Sequence, residues 1–252
     1  TRRRSPVKQV VKKIFKFILG GASHSFFKKL NYVMRKIKGG YFSVNHLDKQ
    51  LEQYVNYDNG FFVELGANDG ISQSNSLYFE KKRNWRGVLV EPTPHNYLLC
   101  KKHRSAENRI FCNACVSFDY KDKYVDIKYA NLMSISENLE SDLADKDSHI
   151  QAGKKFFSAT EDVFSFGAVA ETLTSILKKS NAPSEIDFLS LDVEGAELEV
   201  LKGIDFDEFS FKFMLIEVRD IQRMQDFLSQ HGYLLEKKFS QHDYLFKRVH
   251  AR

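Results

Sequence analysis

Residues 61–70 read Phe-Phe-Val-Glu-Leu-Gly-Ala-Asn-Asp-Gly, and this stretch decides the fold class. Its first half, Phe61–Leu65, is an apolar run with a single acid, which predicts a buried strand. Its second half is a turn with a glycine at each end, Gly66 and Gly70, directly before a helical pattern. In an open parallel sheet, a glycine-bearing turn at the carboxyl end of a strand is a typical ligand-binding position.

From residue 61 onward, short apolar runs alternate with helical patterns, which is typical of βαβ units. We therefore expect an α/β, Rossmann-like domain: a mostly parallel sheet with helices on both faces and a C-terminal antiparallel hairpin. The predicted strands are Phe61–Leu65, Gly87–Glu91, Arg109–Cys115, Tyr124–Tyr129, Ile186–Leu191 and Lys212–Val218, with Tyr233–Lys237 and Tyr244–Lys247 as the hairpin. The predicted helices are Ser74–Lys82, Pro94–His103, Thr172–Lys179, Ala196–Lys202 and Ile221–His231.

Charge divides the chain into two parts. Residues 1–47 contain 12 Lys and Arg and no Asp or Glu, so residues 48–252 are acidic although the whole chain carries +5. We expect residues 1–47 to form a basic amphipathic helical arm and residues 48–252 to form the main domain. Within that domain, residues 116–167 fit the alternation least and are predicted to be an insertion or lid. The arm either packs on the domain or binds an anionic surface, such as a membrane, through residues 1–40.

The apolar stretches are far shorter than the roughly 20 residues that a membrane-spanning helix needs. We expect a cytoplasmic protein, with a peripheral position at the inner membrane face as the alternative. The three cysteines cluster within 15 residues of one another and do not form a disulfide framework. Cys100, His103, Cys112 and Cys115 have the inventory of a zinc site, but the last two lie in a predicted strand, where they would point to opposite faces. Buried thiols are the expectation.

Acidic residues accompany the turn and the end of the second strand. Glu91 ends that strand, where a carboxylate can accept hydrogen bonds from both hydroxyls of a ribose. The turn lacks the G-x-G-x-x-G spacing that receives a pyrophosphate, and Glu64 and Asp69 would repel one. Because both acids suit a cationic sulfonium and an α-amino group, we expect S-adenosylmethionine rather than NAD.

A second acidic motif, Leu-Asp-Val-Glu-Gly at residues 191–195, follows a predicted central strand. Asp192 and Glu194 would lie opposite the cofactor turn, at the edge of the sheet where such folds place their chemistry. The alternative is that they favour the N-terminus of the following helix through its dipole, which applies to Glu197. Because apolar strand residues come directly before Asp192 and Glu194, we expect both to face the cleft.

Three segments resemble the FkbM family of methyltransferases: residues 61–76 (FFVELGANDGISQSNS), 85–104 (WRGVLVEPTPHNYLLCKKHR) and 187–206 (DFLSLDVEGAELEVLKGIDF). Ala170–Leu173 also resembles the family, and the resemblance spans roughly residues 60–236. Asn84 departs from the glycine of one family subgroup. The resemblance implies a class I methyltransferase fold, S-adenosylmethionine as the donor, and O-methylation of sugars or related natural-product hydroxyls.

A hydroxyl acceptor loses a proton on methylation, so a base has to lie within hydrogen-bond reach of it. The candidate catalytic residues are Asp192, Glu194, Glu217 and His95, although His95 is also a common type of residue at a helix start after Pro94. A divalent metal on the three acids is an alternative that we do not favour. The expected cofactor-binding residues are Glu64, Gly66, Ala67, Asn68, Asp69, Gly70, Asn75, Glu91, Pro92, Asn113, Ala114 and Asp192.

Two other functions fit parts of the sequence. One is a non-catalytic methyltransferase-like module that binds a membrane or a protein partner through the basic arm, but the complete set of Glu91, Asp192 and the turn argues against it. The other is a nucleic-acid methyltransferase whose arm contacts phosphates. The chain has neither an Asn/Asp-Pro-Pro-aromatic element nor a Pro-Cys nucleophile. We therefore expect a small-molecule or glycan acceptor rather than nucleic acid.

Overall fold

The computed structural model describes residues 40–249, so the predictions for the basic arm lie almost entirely outside the described residues. The strands are β1 (Phe61–Leu65), β2 (Arg86–Val90), β3 (Arg109–Phe111), β4 (Ala114–Val116), β5 (Tyr124–Tyr129), β6 (Ile135–Ser136), β7 (Phe164–Thr172), β8 (Glu185–Leu191), β9 (Ser210–Glu217), β10 (Tyr233–Lys238) and β11 (Asp243–Arg248). The α-helices are α1 (Leu47–Leu51), α2 (Leu77–Arg83), α3 (Pro94–His103), α4 (Lys146–Gly153), α5 (Leu173–Ser180), α6 (Glu197–Leu201) and α7 (Ile221–Gln230). Short 3-10 helices lie at Val44–His46, Asn131–Met133 and Lys154–Phe156.

Seven strands form one sheet in the order β3-β2-β1-β8-β9-β11-β10. The first five are parallel to one another, and β11 and β10 are antiparallel, as the sequence predicts. The chain leaves β1 toward β2 on one side and later returns to β8 on its other side. The carboxyl ends of β1 and β8 therefore form a topological switch point, where open α/β sheets bind their ligands.

Helices cover both faces of this sheet. The side chains of β1 alternate, so Val63 and Leu65 pack on one face and Phe62 packs on the other. Buried helix residues on the first face are Leu173, Ile176, Leu177, Val200, Leu201, Met224 and Leu228, and those on the second are Leu47, Leu51, Leu77, Phe79 and Cys100. Among the helices of residues 40–249, none has the length and apolar character needed to cross a bilayer.

A second, four-stranded sheet has the order β4-β7-β5-β6 and corrects one predicted strand. The run Arg109–Cys115 is not a single strand, because it breaks at Cys112 and Asn113 and its two halves join different sheets. β3 pairs with β2, whereas β4 pairs with β7. The predicted insertion is thus a folded layer of strands and helix α4. Its last strand, β7, was not predicted.

Candidate active site

A large cavity opens at the carboxyl ends of β1, β2 and β8. One wall consists of the turn after β1, the segment after β2 and the loop after β8. The other wall comes from the insertion: Val125, Ile127, Asn131–Ser136, Leu139 and Phe156. The insertion therefore lines the same cavity as the predicted cofactor turn.

In the turn after β1, the backbone of Gly66 lies close to the backbone of Asp192. Gly66 has a φ of +78°, and a Cβ added there would lie 1.8 Å from the carbonyl oxygen of Asp192. A side chain at residue 66 would therefore push apart the two loops that frame the cavity. Asn68 also adopts a left-handed conformation, with a φ of +46°.

The carboxylate of Asp69 is used inside the turn. It accepts hydrogen bonds from the backbone N–H of Ile71 at 3.0 Å, from the backbone N–H of Ser72 at 2.7 Å and from the Ser72 hydroxyl at 2.9 Å. Asp69 is buried and is not one of the residues that line the cavity. Its structural role is to fix the path of the chain between the turn and α2.

Glu64 is held by a buried cation that sequence analysis missed. Arg104, at the end of α3, is fully buried and places Nη1 3.0 Å from Glu64 Oε2 and Nε 2.7 Å from Glu80 Oε2. Its Nη2 donates to Ser76 Oγ, and the Ser76 hydroxyl donates to Glu64. The structure therefore corrects our electrostatic argument: Glu64 is neutralised by Arg104 and has no free charge to repel a pyrophosphate.

Glu91 lies at the end of β2 and lines the cavity. Its two oxygens accept hydrogen bonds from the backbone N–H groups of Asn68, at 2.8 Å, and Thr93, at 2.9 Å. Burial raises the pKa of Glu91, and these hydrogen bonds oppose the rise. The side chains of Thr93 and Asn96 also interact with this carboxylate, so a ligand hydroxyl would share Glu91 with these groups or replace one of them.

Three carboxylates meet at the ends of β8 and β9. One oxygen each of Asp192, Glu194 and Glu217 can be chosen so that all lie within 4.8 Å of one another. The side chain of Asp192 is accessible from the cavity. The groups around it nevertheless remove part of its hydration. This desolvation, followed by repulsion from Glu217 and Glu194, raises the pKa of Asp192 well above its ordinary value. Glu194 has a left-handed φ of +57°, which is uncommon for a residue other than glycine or asparagine.

Glu194 is bracketed by two positively charged or titratable side chains. Arg219 Nη2, after β9, lies 3.4 Å from Glu194 Oε2 and 3.5 Å from Glu217 Oε1. His149 Nε2, on helix α4 of the insertion, lies 3.0 Å from Glu194 Oε2, although its alignment is not that of a hydrogen bond. Burial raises the pKa of Glu194, with His149 and Arg219 opposing the rise and Glu217 adding to it.

Two further contacts fasten the insertion to these loops. Asp142 Oδ2 accepts hydrogen bonds from the backbone N–H of Arg219 at 2.8 Å and from that of Asp220 at 3.2 Å. The backbone N–H of Asp142 donates to the carbonyl oxygen of Gly195 at 3.0 Å. The insertion thus contacts the loops after β8 and β9 directly beside the acids.

A second set of hydrogen bonds connects two segments of the insertion to each other. Glu161 accepts hydrogen bonds from Tyr129 Oη at 2.5 Å, Asn131 Nδ2 at 2.7 Å and the backbone N–H of Ser158 at 2.5 Å. Burial raises the pKa of Glu161, but these hydrogen bonds outweigh it and lower the pKa to about 2. The carboxylate therefore holds residues 157–163 against the segment that lines the cavity.

Most predicted site residues line the cavity and some do not. Glu64, Gly66, Asn68, Asn75, Glu91, Pro92, Asn113, Ala114, Asp192 and Glu194 are lining residues. Three predicted residues lie in the turn but outside the lining: Ala67, Asp69 and Gly70. Glu217 is also outside the lining, with one carboxylate oxygen within 4.8 Å of an oxygen of Asp192. His95 is exposed at the start of α3 and does not reach the lining. Within residues 40–249, the group of side chains that could hold a metal contains no cysteine, and Cys100 and Cys115 are buried.

The family follows from a match to known sequences. A family model for the methyltransferase FkbM domain matches residues 64–235, which is more than half of the chain and includes the turn, Glu91 and the Asp192–Gly195 loop. The chain belongs to the FkbM methyltransferase family. The α/β fold of this FkbM protein, with five parallel strands and a C-terminal antiparallel pair, is that of class I methyltransferases.

Solved methyltransferases are similar to the FkbM protein at a low level. A putative RNA methyltransferase, PH1948 from Pyrococcus horikoshii, is 11% identical with a TM-score of 0.40, over 81% of this chain and 80% of that one. TrmK from M. capricolum, in complex with S-adenosyl-homocysteine, is 8% identical with a TM-score of 0.39, over 79% of this chain and 66% of that one. These values carry no argument about the acceptor. No curated protein matches the sequence significantly.

S-adenosylmethionine is the methyl donor of the family, and the cavity fits it. Gly66 leaves the turn open to a ligand, and Glu91 would accept hydrogen bonds from the ribose hydroxyls. Asn75 Oδ1 is buried without a hydrogen-bond partner, so it would accept a hydrogen bond from a ligand donor. Asn113 and Ala114, which line the cavity beyond β3, would contact the adenine.

Proposed function

We propose that this FkbM-family methyltransferase methylates a hydroxyl oxygen of a sugar, glycan or related small molecule. The observation that carries this proposal is the position of Asp192, a carboxylate in the cavity at the end of β8, at the switch point where the cofactor turn also lies. A hydroxyl needs a base when its oxygen is methylated, and a carboxylate on the cavity lining can serve as one.

When bound, S-adenosylmethionine supplies an electrophilic methyl group. Asp192 would accept the acceptor hydroxyl proton, while the oxygen forms the new bond to carbon and the carbon–sulfur bond breaks. The raised pKa of Asp192 makes it a stronger base than an ordinary aspartate. Glu194, held beside it by Arg219 and His149, would orient the acceptor.

The direct test is to incubate the full chain with S-adenosylmethionine and a panel of sugars and polyols, and to measure S-adenosyl-homocysteine release and methylated product by mass spectrometry. We expect a product one methylene heavier, methylated on oxygen. Asp192→Asn, which is nearly isosteric, should bind S-adenosylmethionine while turnover falls at least about a hundredfold. Methylation on nitrogen or carbon, or undiminished turnover in Asp192→Asn, would contradict the proposal.

A further inference from the structure

The charge of the cavity lining bears on the chemical class of the acceptor. The lining residues that can carry a negative charge as carboxylates within the described part of the chain are four acids, Glu64, Glu91, Asp192 and Glu194, and no Lys, Arg or His contributes to the lining. Arg104 neutralises Glu64 from behind. Within residues 40–249, neither Glu91 nor Asp192 has a basic partner at ion-pair distance.

The negative charge is greatest at the ends of β8 and β9. Arg219 is a single guanidinium shared among three acids, since it lies 3.4 Å from Glu194, 3.5 Å from Glu217 and 3.7 Å from Asp142. Asp192 adds a fourth acid at the cavity surface. Even when the His149 imidazole beside Glu194 is counted as a cation with Arg219 and with the one net positive charge of the donor molecule, the four acids, when ionised, outnumber these charges by one, so a further cation is favoured there.

An unused hydrogen-bond acceptor in the same cavity gives a second indication. Asn75 is 9% exposed and lines the cavity, and its Nδ2 donates to Ser190 Oγ at 3.0 Å, whereas its Oδ1 has no partner. An oxygen that accepts hydrogen bonds and is buried without a donor favours a ligand that donates.

The wall that the insertion contributes adds no positive charge. Its side chains in the lining are apolar or small and polar: Val125, Ile127, Asn131, Leu132, Met133, Ser134, Ile135, Ser136, Leu139 and Phe156. This wall can pack against a ring and bond to hydroxyls, but it gives a phosphate, sulfate or carboxylate no cationic partner.

We propose that the acceptor is a hydroxylated amine, such as an amino sugar, whose ammonium group lies beside Asp192, Glu194 and Glu217. Acceptors with an anionic group at that position, nucleic acids included, are excluded by repulsion. This inference rests on the proposed function, because it names the acceptor class of the same cavity.

The test measures binding rather than turnover. The full chain is saturated with S-adenosyl-homocysteine, and three methyl glucosides that differ only at carbon 6 are titrated by ligand-observed NMR: the neutral alcohol, the 6-amino-6-deoxy compound and the glucuronide. We expect the amine to bind at least about tenfold more tightly than the alcohol, and the glucuronide to bind more weakly than both. Equal affinities, a preference for the glucuronide, or no binding of the amine would overturn the inference.

A charge introduced into the wall provides a second test. Leu132 is half-buried in the lining, and Leu132→Lys places a cation there, whereas Leu132→Met is the matched neutral variant. The lysine variant should lose the preference for the amine and gain affinity for the glucuronide by about tenfold, while the methionine variant keeps the wild-type order. An unchanged order in Leu132→Lys would contradict a preference that is set by the charge of the cavity.

Two further measurements separate this inference from the proposed function. If the chain binds S-adenosylmethionine but methylates a uronic acid on oxygen in preference to an amine, the acceptor class is wrong while the proposed function stands. If the chain does not bind S-adenosylmethionine at all, the proposed function fails, whatever the order of the three glucosides.

Discussion

Removing the buried cation beneath the cofactor turn should strongly destabilise the fold while leaving the cavity lining intact. Arg104 is fully buried and contacts Glu64 at 3.0 Å and Glu80 at 2.7 Å. Arg104→Met would keep most of the volume but leave Glu64 without a cation and Glu80 with only the partly exposed Lys81, 2.8 Å away. Breaking a buried ion pair in this way costs about 3–5 kcal/mol of unfolding free energy.

The assay is urea unfolding at neutral pH, with Arg223→Met as the matched control. Arg223 also contacts a carboxylate closely, at 2.5 Å from Glu140, but both side chains are nearly half exposed. An exposed pair contributes less than about 1 kcal/mol, so the control should unfold close to wild type. A loss of less than about 1 kcal/mol in Arg104→Met would refute the argument that Arg104 stabilises the charges of Glu64 and Glu80.

Three other substitutions test the roles of the cofactor turn, the insertion and the loop after β8. Gly66→Ala should reduce both stability and affinity for S-adenosylmethionine, as measured by melting and calorimetry, because its Cβ would lie 1.8 Å from the Asp192 carbonyl oxygen; wild-type values for both would disprove that contact. Glu161→Gln should lower the melting temperature at pH 7, and the difference from wild type should shrink as the pH falls from about 4.5 toward 2. The sign follows from the pKa of Glu161, which is lowered from 4.5 to about 2, so that its carboxylate stabilises the fold above that interval and loses the effect within it. A difference that persists unchanged at low pH would count against this role. Glu194→Asn should retain the left-handed backbone, which Asn tolerates, and lower acceptor affinity with little loss of stability; a large drop in melting temperature would show that Glu194 is chiefly structural.

The sequence predicted the main sheet because its strands are apolar runs with clear limits. Phe61–Leu65 and Pro94–His103 occur as predicted, and the other elements of the main sheet and its helices differ by a few residues at their ends. The single error in a long run, Arg109–Cys115, arose because Cys112 and Asn113 interrupt pairing without a glycine or proline to mark the break. Strand β7 was missed because it pairs with β5, which is distant in sequence, and packs only partly in the core.

The candidate site was only partly predictable for a similar reason. Asp192, Glu194 and Glu91 end apolar strands, so local pattern places them at the edge of the sheet. Arg104 and His149 carry no such signal, because a basic residue at a helix end or on a polar helix is ordinarily solvated. Their partners, 40 and 45 residues away respectively, become visible only in the folded chain.

The assignment of the cavity to S-adenosylmethionine is tested by calorimetric titration of the full chain with S-adenosylmethionine and with NAD, repeated on Glu91→Ala and Glu91→Gln. The account predicts that S-adenosylmethionine binds and NAD does not. Charge-assisted hydrogen bonds contribute roughly 1.5–3 kcal/mol each, so Glu91→Ala should weaken binding by about one to two orders of magnitude or more, and Glu91→Gln by less. Melting temperatures would show that both variants fold, since Glu91 also accepts hydrogen bonds from the backbone N–H groups of Asn68 and Thr93. NAD binding as tight as that of S-adenosylmethionine, or an unchanged dissociation constant in folded Glu91→Ala, would contradict the assignment of this cavity.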